Sequence, residues 1–313
     1  MPILRYDPSM APRWNEFVAN SANATFLHDR RYMDYHADRF MDCSLVALDA
    51  KGRVAALLPA NACGTTLYSH QGLTYGGWLV ARRHGGSPLM LDLWQEAFDM
   101  MRSLGFKQLV YKPVPHIFAR YPSEDDLYAL WRSGARMSVC QLSSAIPLRE
   151  PAVANETSRQ LVRKAAEAGF IVGDDSDLEG FMAILSQRLM EAHNARPVHA
   201  PQEMRMLMER FPENIRLVTA RDSSGALAGG TIVYLCGRVV HTQYIATTEA
   251  GRRAGVMPAV IDYVARNLSA GADYLDFGTS CEDAGRVLNA GLISQKYGMG
   301  GRPVAYTAFT LDL

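Results

Sequence analysis

The residues best suited to proton transfer lie in the last third of the chain. The apolar run 239–246 contains His241 and Gln243, and strand alternation puts both on one face, with Thr242 and Tyr244 on the other. A histidine is the side chain whose pKa best fits proton transfer near neutral pH. We therefore interpret this strand as one wall of a substrate cleft. The alternative is that neighbouring backbone satisfies both polar side chains.

A second group with chemical potential consists of Asp276, Glu282 and Lys296. Asp276 lies between Leu275 and Phe277 in a predicted strand, where a carboxylate is costly unless it is paired. Glu282 is predicted at the start of a helix, where its charge suits the helix dipole and where a plain capping role is the alternative. Lys296 precedes a glycine-rich turn. The alternative to a chemical role for this lysine is a purely structural ion pair with Asp276.

A proline-rich exit from an earlier predicted strand, 108–112, holds another candidate pair. Lys112 and His116 stand around two prolines, in the string Tyr-Lys-Pro-Val-Pro-His. Strand C-terminal ends are common places for ligand contacts. These two residues are therefore candidates for substrate binding, and a loop with solvated charges is the alternative.

Two further pairs of basic residues are candidates for substrate binding. Arg159 and Arg163 lie one turn apart on a predicted helix, where Glu167 can pair with Arg163 and leave Arg159 for an anionic acceptor. His193 and His199 follow a predicted helix end and can line the same cleft. Their spacing does not match the H-E-x-x-H pattern, so no metal site is predicted.

Composition predicts a soluble, cytoplasmic enzyme of about two domains. The chain has 313 residues, with 32 basic and 32 acidic side chains. This balance argues against an obligate DNA or RNA partner, which usually requires a basic excess. Five cysteines without a C-x-x-C pair predict reduced thiols and no structural zinc. No apolar run is long enough to predict a membrane span.

One order of predicted elements occurs twice, at 44–146 and at 215–312. Each copy has a hairpin with an Asp/Gly turn, a strand, a glycine-containing loop, a helix, a strand, an acidic helix start and a last strand. The loops are predicted at 72–86 and 251–255, and the acidic helix starts at 123–126 and 280–283. Only the second copy has the glycine-rich turn after Lys296, which favours an active centre there.

This repeat predicts an α/β (α+β) fold of two tandem domains. Each domain is a mostly antiparallel mixed sheet with one βαβ crossover, flanked by helices. The predicted domains are 1–150 and 151–313, and the second begins with a helical lead-in.

The element order resembles that of the GNAT acyltransferase superfamily, and two linked copies resemble its FemABX-like branch. Three strings strengthen the resemblance: Ser-Arg-Gln-Leu-Val-Arg-Lys-Ala at 158–165, Tyr-Leu-Asp-Phe-Gly at 274–278 and Gln-Lys-Tyr-Gly-Met-Gly-Gly-Arg at 295–302. The resemblance covers nearly the whole chain. It is more specific for the fold than for the substrate.

The resemblance implies acetyl-CoA or another acyl-CoA as the donor, held by a phosphate-binding loop. The matching string is Arg252-Arg253-Ala254-Gly255-Val256-Met257, in which backbone amides and a helix N-terminus would hold a pyrophosphate. Arg252, Arg253, Gly255 and Val256 are the implied cofactor-binding residues, together with Tyr244. Met257 departs from the family pattern, which has glycine or alanine there.

The resemblance also implies a reaction in a cleft between the two domains. An amine, or less often a hydroxyl, of a small-molecule or cell-wall or polysaccharide-precursor acceptor would attack the acyl carbonyl. His241 or Glu282 would take the proton, backbone amides of strand 239–246 would hold the oxyanion, and Lys296 would approach the reacting group. Gln243 and Asp276 would join the substrate-binding residues named above.

Two alternatives stay open at this point. The donor can be an aminoacyl-tRNA, as in peptidoglycan-bridge enzymes; the imperfect phosphate loop favours this, whereas neutral charge and the lack of a long charged helical hairpin disfavour it. The protein can also be a non-catalytic binding protein. In that case the Met257 side chain would fill the donor pocket.

Overall fold

The chain folds into two compact units, neither of which is a single stretch of sequence. The computed structural model describes residues 1–82, 86–150 and 153–313, apart from the side chain of His193. The first unit comprises Met1–Gln141, Asp283–Arg286 and Ala305–Leu313, and the second comprises Leu142–Glu282 and Val287–Val304.

The first unit contains eight complete strands and four helices among the described residues. The strands are β1 (Ile3–Arg5), β2 (Met41–Asp42), β3 (Leu45–Leu48), β4 (Val54–Leu58), β5 (Asn61–Cys63), β6 (Thr66–Tyr68), β7 (Leu79–Val80) and β8 (Gln108–Tyr111). The helices are α1 (Ala11–Asn20), α2 (Arg30–Met33), α3 (Ser87–Ser103) and α4 (Asp125–Arg132). Strand β9 (Arg136–Pro147) begins in the first unit and ends in the second.

The second unit contains six helices and seven complete strands among the described residues. The helices are α5 (Glu156–Glu167), α6 (Leu178–His193), α7 (Pro201–Arg210), α8 (Glu249–Ala254), α9 (Val256–Asn267) and α10 (Ala290–Gly298). The strands are β10 (Ile171–Asp174), β11 (Ile215–Arg221), β12 (Leu227–Leu235), β13 (Val239–Thr247), β14 (Tyr274–Thr279), β15 (Cys281–Glu282) and β16 (Val287–Leu288). Strand β17 (Arg302–Asp312) starts in the second unit and has its longer part in the first.

The sheets confirm the predicted antiparallel character with one crossover in each unit. In the first unit, β1, β3, β4 and β7 form one antiparallel sheet, and β17, β8, β6, β5 and β2 lie side by side in another. In the second unit, the order is β10, β11, β12, β13, β14 and the end of β9. The parallel pairs are β6 with β8 and β13 with β14, joined by α3 and α9 respectively.

Helix α9 shows how the sequence fixes the crossover of the second unit. Its Val256, Val260, Ile261 and Val264 recur at helical spacing and are buried in one apolar cluster with sheet residues such as Val240. This buried face holds β13 and β14 side by side at their starts.

Two predictions for the second copy are wrong. The predicted loop 251–255 is mostly helix, because Thr248 caps α8 by accepting a hydrogen bond from Gly251 N, and only Gly255 adopts a left-handed conformation. The predicted helix start 280–283 is instead β15 in a small hairpin with β16. The helix that follows starts later, at α10, because the Asn289 side chain caps it by accepting from Leu292 N.

Candidate functional site

Strand β13 contains an extra residue in the middle of the predicted cleft wall. Thr242 lies opposite Val233 and Tyr244 opposite Ile232, so Gln243 has no residue of its own opposite it in β12. Such a β-bulge bends the strand and resets the alternation of its side chains. The predicted assignment of His241 and Gln243 to one face by simple alternation is therefore wrong.

Strand β14 has a matching irregularity on its other side. Asp276 pairs with Ala145 and Thr279 with Ser143, so β14 uses three steps where β9 uses two. Gly278 stands in this extra segment at φ +72°, a conformation that disfavours side chains. The glycine of the Tyr-Leu-Asp-Phe-Gly string thus permits the bulge.

The two bulges open a slot between β13 and β14. The parallel ladder ends where His241 lies opposite Asp276, although both strands continue beyond that point. A cavity of about 620 Å³ begins at the next residue of each strand, so that His241 and Asp276 lie beside it and are not among its lining residues. Both strands contribute to its walls, through Thr242, Gln243, Ile245, Ala246 and Thr247 from β13 and Phe277 and Thr279 from β14.

A hydrogen-bonded chain of three polar side chains lies where the ladder ends. Asp276 is fully buried, and its two carboxylate oxygens contact Ser143 Oγ at 2.6 Å and His241 Nδ1 at 2.7 Å. Gly278 N adds a donor to the same carboxylate at 3.2 Å. The contact fixes the imidazole and leaves Nε2 as the nitrogen that can meet a substrate.

Sequence reasoning missed Ser143. It belongs to the first copy's last strand, far from Asp276 along the chain, and nothing local marks it as chemical. Its signal is the unusual pair of buried serines, Ser143 and Ser144, in a strand that is otherwise apolar at this end.

Lys296 points into the same region from the last turn of α10. Its ammonium group donates to the carbonyl oxygens of Gly278 at 2.8 Å and Thr279 at 2.9 Å. Burial lowers the pKa of Lys296 to about 8, and the charges of Asp276 and Cys281 oppose that shift. The lysine thus stabilises the bulged end of β14.

The cavity walls carry positive charge and no described carboxylate. Arg188, Arg252 and Lys296 are the charged residues that line it in the described part of the chain. Arg188 pairs with Glu191 at 2.7 Å, outside the lining. The start of α9 also faces the cavity through Gly255, and no side chain caps this helix. A helix N-terminus attracts negative charge, so the walls suit an anionic ligand.

Met257 lies in the cavity wall without filling the cavity. Its side chain is 9% exposed and packs in the apolar cluster that includes Val260 and Met299. The cavity keeps its volume beside it. Helix α5 supports the opposite side, since a Cβ on Gly255 would lie 2.6 Å from Leu161 O.

Comparison with known proteins agrees with this architecture. A family model described as an acetyltransferase (GNAT) domain matches residues 154–284, which is less than half of the chain. No curated protein sequence matches. The crystal structure of FemX is similar with a TM-score of 0.68 at 13% identity, over 100% of this chain and 98% of FemX.

The chain has the tandem GNAT fold. A tandem GNAT protein from the clavulanic acid biosynthesis pathway is similar with a TM-score of 0.51 and 15% identity, covering 99% of this chain and 98% of that one. The C-terminal domain of a putative lysylphosphatidylglycerol synthetase from Agrobacterium fabrum has a TM-score of 0.62 and 12% identity, covering 96% and 91%. Because the sequence identities are low, these similarities establish the fold alone. At that level they confirm the predicted fold class and the FemABX-like resemblance.

Within the tandem GNAT fold, the predicted cofactor-binding residues separate into two sets. Arg252 and Gly255 line the cavity. Arg253 forms an ion pair with Glu249, and Val256 is fully buried in the core. The Tyr244 hydroxyl contacts His199 Nδ1 at 2.6 Å, and burial raises the Tyr244 pKa.

The two predicted arginines pair with a different acidic residue from the one that helical spacing indicated. Arg159 and Arg163 both pair with Glu156, at 2.6 and 2.7 Å, whereas Glu167 was the predicted partner. Glu156 occupies the first turn of α5, where it also suits the helix dipole. These arginines line a separate cavity of about 360 Å³.

The other predicted site residues do not line the cavity or lie outside the residues that the structure describes. Glu282 is exposed in β15 and accepts from Asn289 Nδ2 at 3.3 Å, so its predicted place at a helix start is wrong. Lys112 and His116 belong to the first unit, where Lys112 donates to Leu73 O. The side chain of His193 lies outside the described residues.

Searches of the described residues for two other kinds of site find neither. None of the described helices is long and apolar enough to cross a membrane. The described His, Cys, Asp and Glu side chains form no group of three that is arranged to hold a metal ion.

Proposed function

We propose that the second unit is an acyltransferase that moves an acyl group from an activated, anionic donor to an amine. The observation that carries this proposal is the slot between β13 and β14, which ends at His241 and Asp276 and opens into a cavity with cationic walls. An anionic donor fits those walls, while the imidazole provides a base at the closed end of the slot.

His241 is the proposed general base. Asp276 holds Nδ1, so Nε2 accepts the proton of the amine as its nitrogen attacks the acyl carbonyl. The bond from the carbonyl carbon to the leaving atom breaks, and the proton passes on to that leaving group. Such proton transfer typically accounts for about 10² to 10⁴ of an enzyme's rate enhancement.

The main chain of β13 is the proposed oxyanion site. Because the ladder with β14 ends at His241, amides of β13 beyond that point that face β14 are not used by the sheet. Fixed backbone donors in a site shielded from water stabilise developing negative charge. Lys296 assists by holding the bulged carbonyls of β14 and by adding positive charge to the wall.

The residues present fit an acyl-CoA donor, which supplies an acyl group activated as a thioester. Arg252 and the start of α9 would hold its phosphates. Pro258 at the third helical position has no N–H, so Val256 and Met257 are the first-turn residues that can donate from the backbone. The pantetheine arm would lie along the slot.

Aminoacyl-tRNA is the second candidate donor. The start of α9 supports this alternative because it is a poor phosphate-binding site in two respects. Pro258 reduces the number of backbone donors, and Leu161 packs tightly on Gly255. Either donor is anionic and carries an activated carbonyl. The acceptor is a small molecule or a cell-wall or polysaccharide precursor with an amine, or less often a hydroxyl.

The decisive experiment is calorimetric titration of the whole chain with acetyl-CoA and, separately, with free CoA. We expect saturable binding that weakens at least tenfold in Arg252→Ala, whose side chain lines the cavity. Arg253→Ala is the matched control, because this neighbour pairs with Glu249 outside the lining. Equal weakening in both variants would reject the phosphate site at α9.

The same titration separates the candidates. If neither ligand binds at millimolar concentration, the acyl-CoA proposal is withdrawn. Retention of aminoacyl-tRNA that falls steeply with salt would then support the second donor. If the chain binds none of the three, a non-catalytic binding protein becomes the better explanation.

A further inference from the structure

One tryptophan of the first unit is exposed, in contrast to the other three. Trp14, Trp78 and Trp94 are each 1% exposed, whereas Trp131 is 72% exposed. An indole ring in water leaves a large apolar area unburied. A single exposed apolar side chain is common, whereas a group of them indicates a surface that meets another phase or another molecule.

Further large side chains are exposed close to Trp131 along the chain. Tyr128 lies one turn earlier on α4, with its ring centroid 6.3 Å from that of Trp131. Met137 follows the tight turn that connects α4 to β9. Both are exposed, at 48% for Tyr128 and 55% for Met137.

Hydrogen bonds place the start of β9 at one end of the first unit. Arg136 at the start of β9 lies 3.7 Å from the Asp312 carboxylate, which also accepts from Gln108 at the start of β8. Leu313 N donates to Lys107 O at 2.9 Å. The exposed Leu104 ends α3 a few residues before β8, and α3 packs on α4.

We name this end of the unit the aromatic end, and its charge is positive. It is defined by the following exposed residues: Arg102, Leu104, Lys107, Tyr128, Trp131, Arg132, Arg136 and Met137. Asp99 pairs with Arg102, and Asp312 lies near Arg136. Four basic residues against these two acids leave a net positive surface, although the whole chain has no net charge.

Helix termini explain only part of this charge. Arg102 and Arg132 lie in the last turns of α3 and α4, where a cation suits the helix dipole. Lys107 lies beyond the helices, in the connection to β8, and Arg136 is the first residue of β9. Their position next to an exposed indole therefore needs a different explanation.

We propose that the aromatic end binds the surface of an anionic membrane. Trp131, Met137 and Leu104 would enter the interfacial region, where amphipathic aromatic rings are stable. The arginines and Lys107 would meet anionic headgroups while their aliphatic stems cover apolar surface. This is peripheral binding by side chains and needs no spanning helix.

The distribution of tryptophans provides a built-in test. The three buried indoles are shielded from water-soluble quenchers, so iodide-quenchable tryptophan emission of the whole chain reports on Trp131. We expect vesicles of phosphatidylglycerol to shift this emission to the blue and to protect it from iodide. Phosphatidylcholine vesicles should do neither, and added salt should reverse the effect.

Variants measured by vesicle sedimentation test the residues. Arg132→Gln and Arg136→Gln should each weaken binding to phosphatidylglycerol about fivefold, as expected for one basic residue at an anionic surface. Trp131→Ala should also weaken it, whereas Trp131→Phe should retain most binding and lose the fluorescence response. Ile171→Ser is the matched control, since Ile171 is 74% exposed in the second unit and should bind like wild type.

Three results would overturn the proposal. An unchanged spectrum with phosphatidylglycerol would exclude membrane contact by Trp131. Equal binding to both lipids would remove the role of the basic residues. A blue shift that depends on protein concentration without vesicles, or one produced by a soluble polyanion, would assign the surface to a second copy or to a nucleic acid.

Discussion

The two units contain the same parallel crossover and use its end differently. In the first unit β6 and β8 pair over three residues, from Thr66 opposite Gln108 to Tyr68 opposite Val110. In the second unit β13 and β14 also pair over three, ending at His241 opposite Asp276. Beyond the third pair, the first unit closes and the second opens into a cavity.

Closure in the first unit depends on the loop after β6. Ser69 N donates to Val110 O at 2.9 Å, and Lys112 N donates to Ser69 Oγ at 2.6 Å. The chain then returns, and Gly76 N donates to Lys112 O at 3.0 Å. A Cβ on Gly76 would lie 2.1 Å from Ser69 O, so this loop fills the space by direct backbone contact.

The contrast shows that the crossover alone does not make a site. Two bulges, at Gln243 and next to Gly278, separate the strands of the second unit. Lys296 then satisfies the carbonyls that the separation leaves without strand partners. A slot therefore needs both the bulges that open it and a residue that stabilises the open edge.

The largest expected effect comes from removing the proposed base. His241→Ala should lower kcat by about 10² to 10⁴, measured as thiol release from acetyl-CoA with a panel of primary amines. Donor affinity and the circular dichroism spectrum should stay unchanged, because the proposed role of the imidazole involves only the reacting end of the donor. Full activity in this variant would contradict the assignment of the active site to His241. The end of the β13–β14 pair would then have no catalytic role that the β6–β8 pair lacks.

The buried lysines of the two units provide the next comparison. Burial lowers the pKa of both Lys112 and Lys296 to about 8. Lys296→Met leaves two carbonyls without a donor and should cost about 2 kcal/mol of unfolding free energy, whereas Lys112→Met loses one and should cost about 1 kcal/mol. Chemical denaturation monitored by hydrogen exchange in each unit gives both values.

Activity of the two lysine variants sharpens the comparison further. We expect kcat to fall in Lys296→Met, since the open edge of β14 is disturbed. An equal fall of kcat in Lys112→Met would show that the first unit takes part in the reaction. This is what the sequence-based prediction of substrate binding at Lys112 requires.

Gly271 and Gly278 have similar backbone conformations, so their alanine variants distinguish an effect on stability from an effect on activity. Gly278 and Gly271 both have positive φ, +72° and +79°, so alanine at either should cost about 1 kcal/mol of stability. A Cβ at Gly278 would lie 3.4 Å from His241 Cε1, whereas one at Gly271 meets nothing within 4 Å. Only Gly278→Ala should lower kcat; matched losses in the two variants would mean that the effect is stability alone.

The smallest effect expected is a difference in acid sensitivity between the units. Burial lowers the pKa of His28 to about 4 and that of His70 to about 3 in the first unit. The unfolded chain therefore binds more protons below the ordinary histidine pKa, and stability is lost as pH falls from about 6.5. Each histidine contributes up to about 1.4 kcal/mol per pH unit.

A buried carboxyl opposes this acid effect in part. Burial raises the Asp126 pKa to about 6, so its protonated form stabilises the first unit as pH falls through that range. The net slope should still be destabilising, because two histidines oppose one carboxyl. Hydrogen exchange between pH 7 and 5, corrected for intrinsic rates, should show greater loss of protection in β6 and β8 than in β13 and β14, and His70→Asn should reduce that difference.

The fold could be predicted from sequence because its signals are local. Asp with Gly marked both hairpins, and apolar helical spacing marked α3 and α9. The order of elements was then enough to indicate two similar domains with one parallel crossover each. Neither bulge was predicted, because a bulge depends on the register of the neighbouring strand and not on the bulged strand itself.

The site was only partly accessible to the same reasoning. His241, Asp276 and Lys296 could be named as candidates, because polar groups in apolar strands and a lysine before a glycine-rich turn are conspicuous in the sequence. Ser143 was missed because its partner Asp276 lies on a distant stretch of chain. Glu282 was misplaced because the acidic string resembles a helix start, while the cap that actually operates is Asn289.

Strand β17 has a consequence for how this protein can be made. Its residues 305–313 belong to the first unit, and its Phe309–Asp312 stretch pairs with β8. During synthesis these residues leave the ribosome only after the whole second unit has emerged. The first unit is therefore completed after the second has been translated, and the β8 edge that pairs with β17 waits until then for its neighbour.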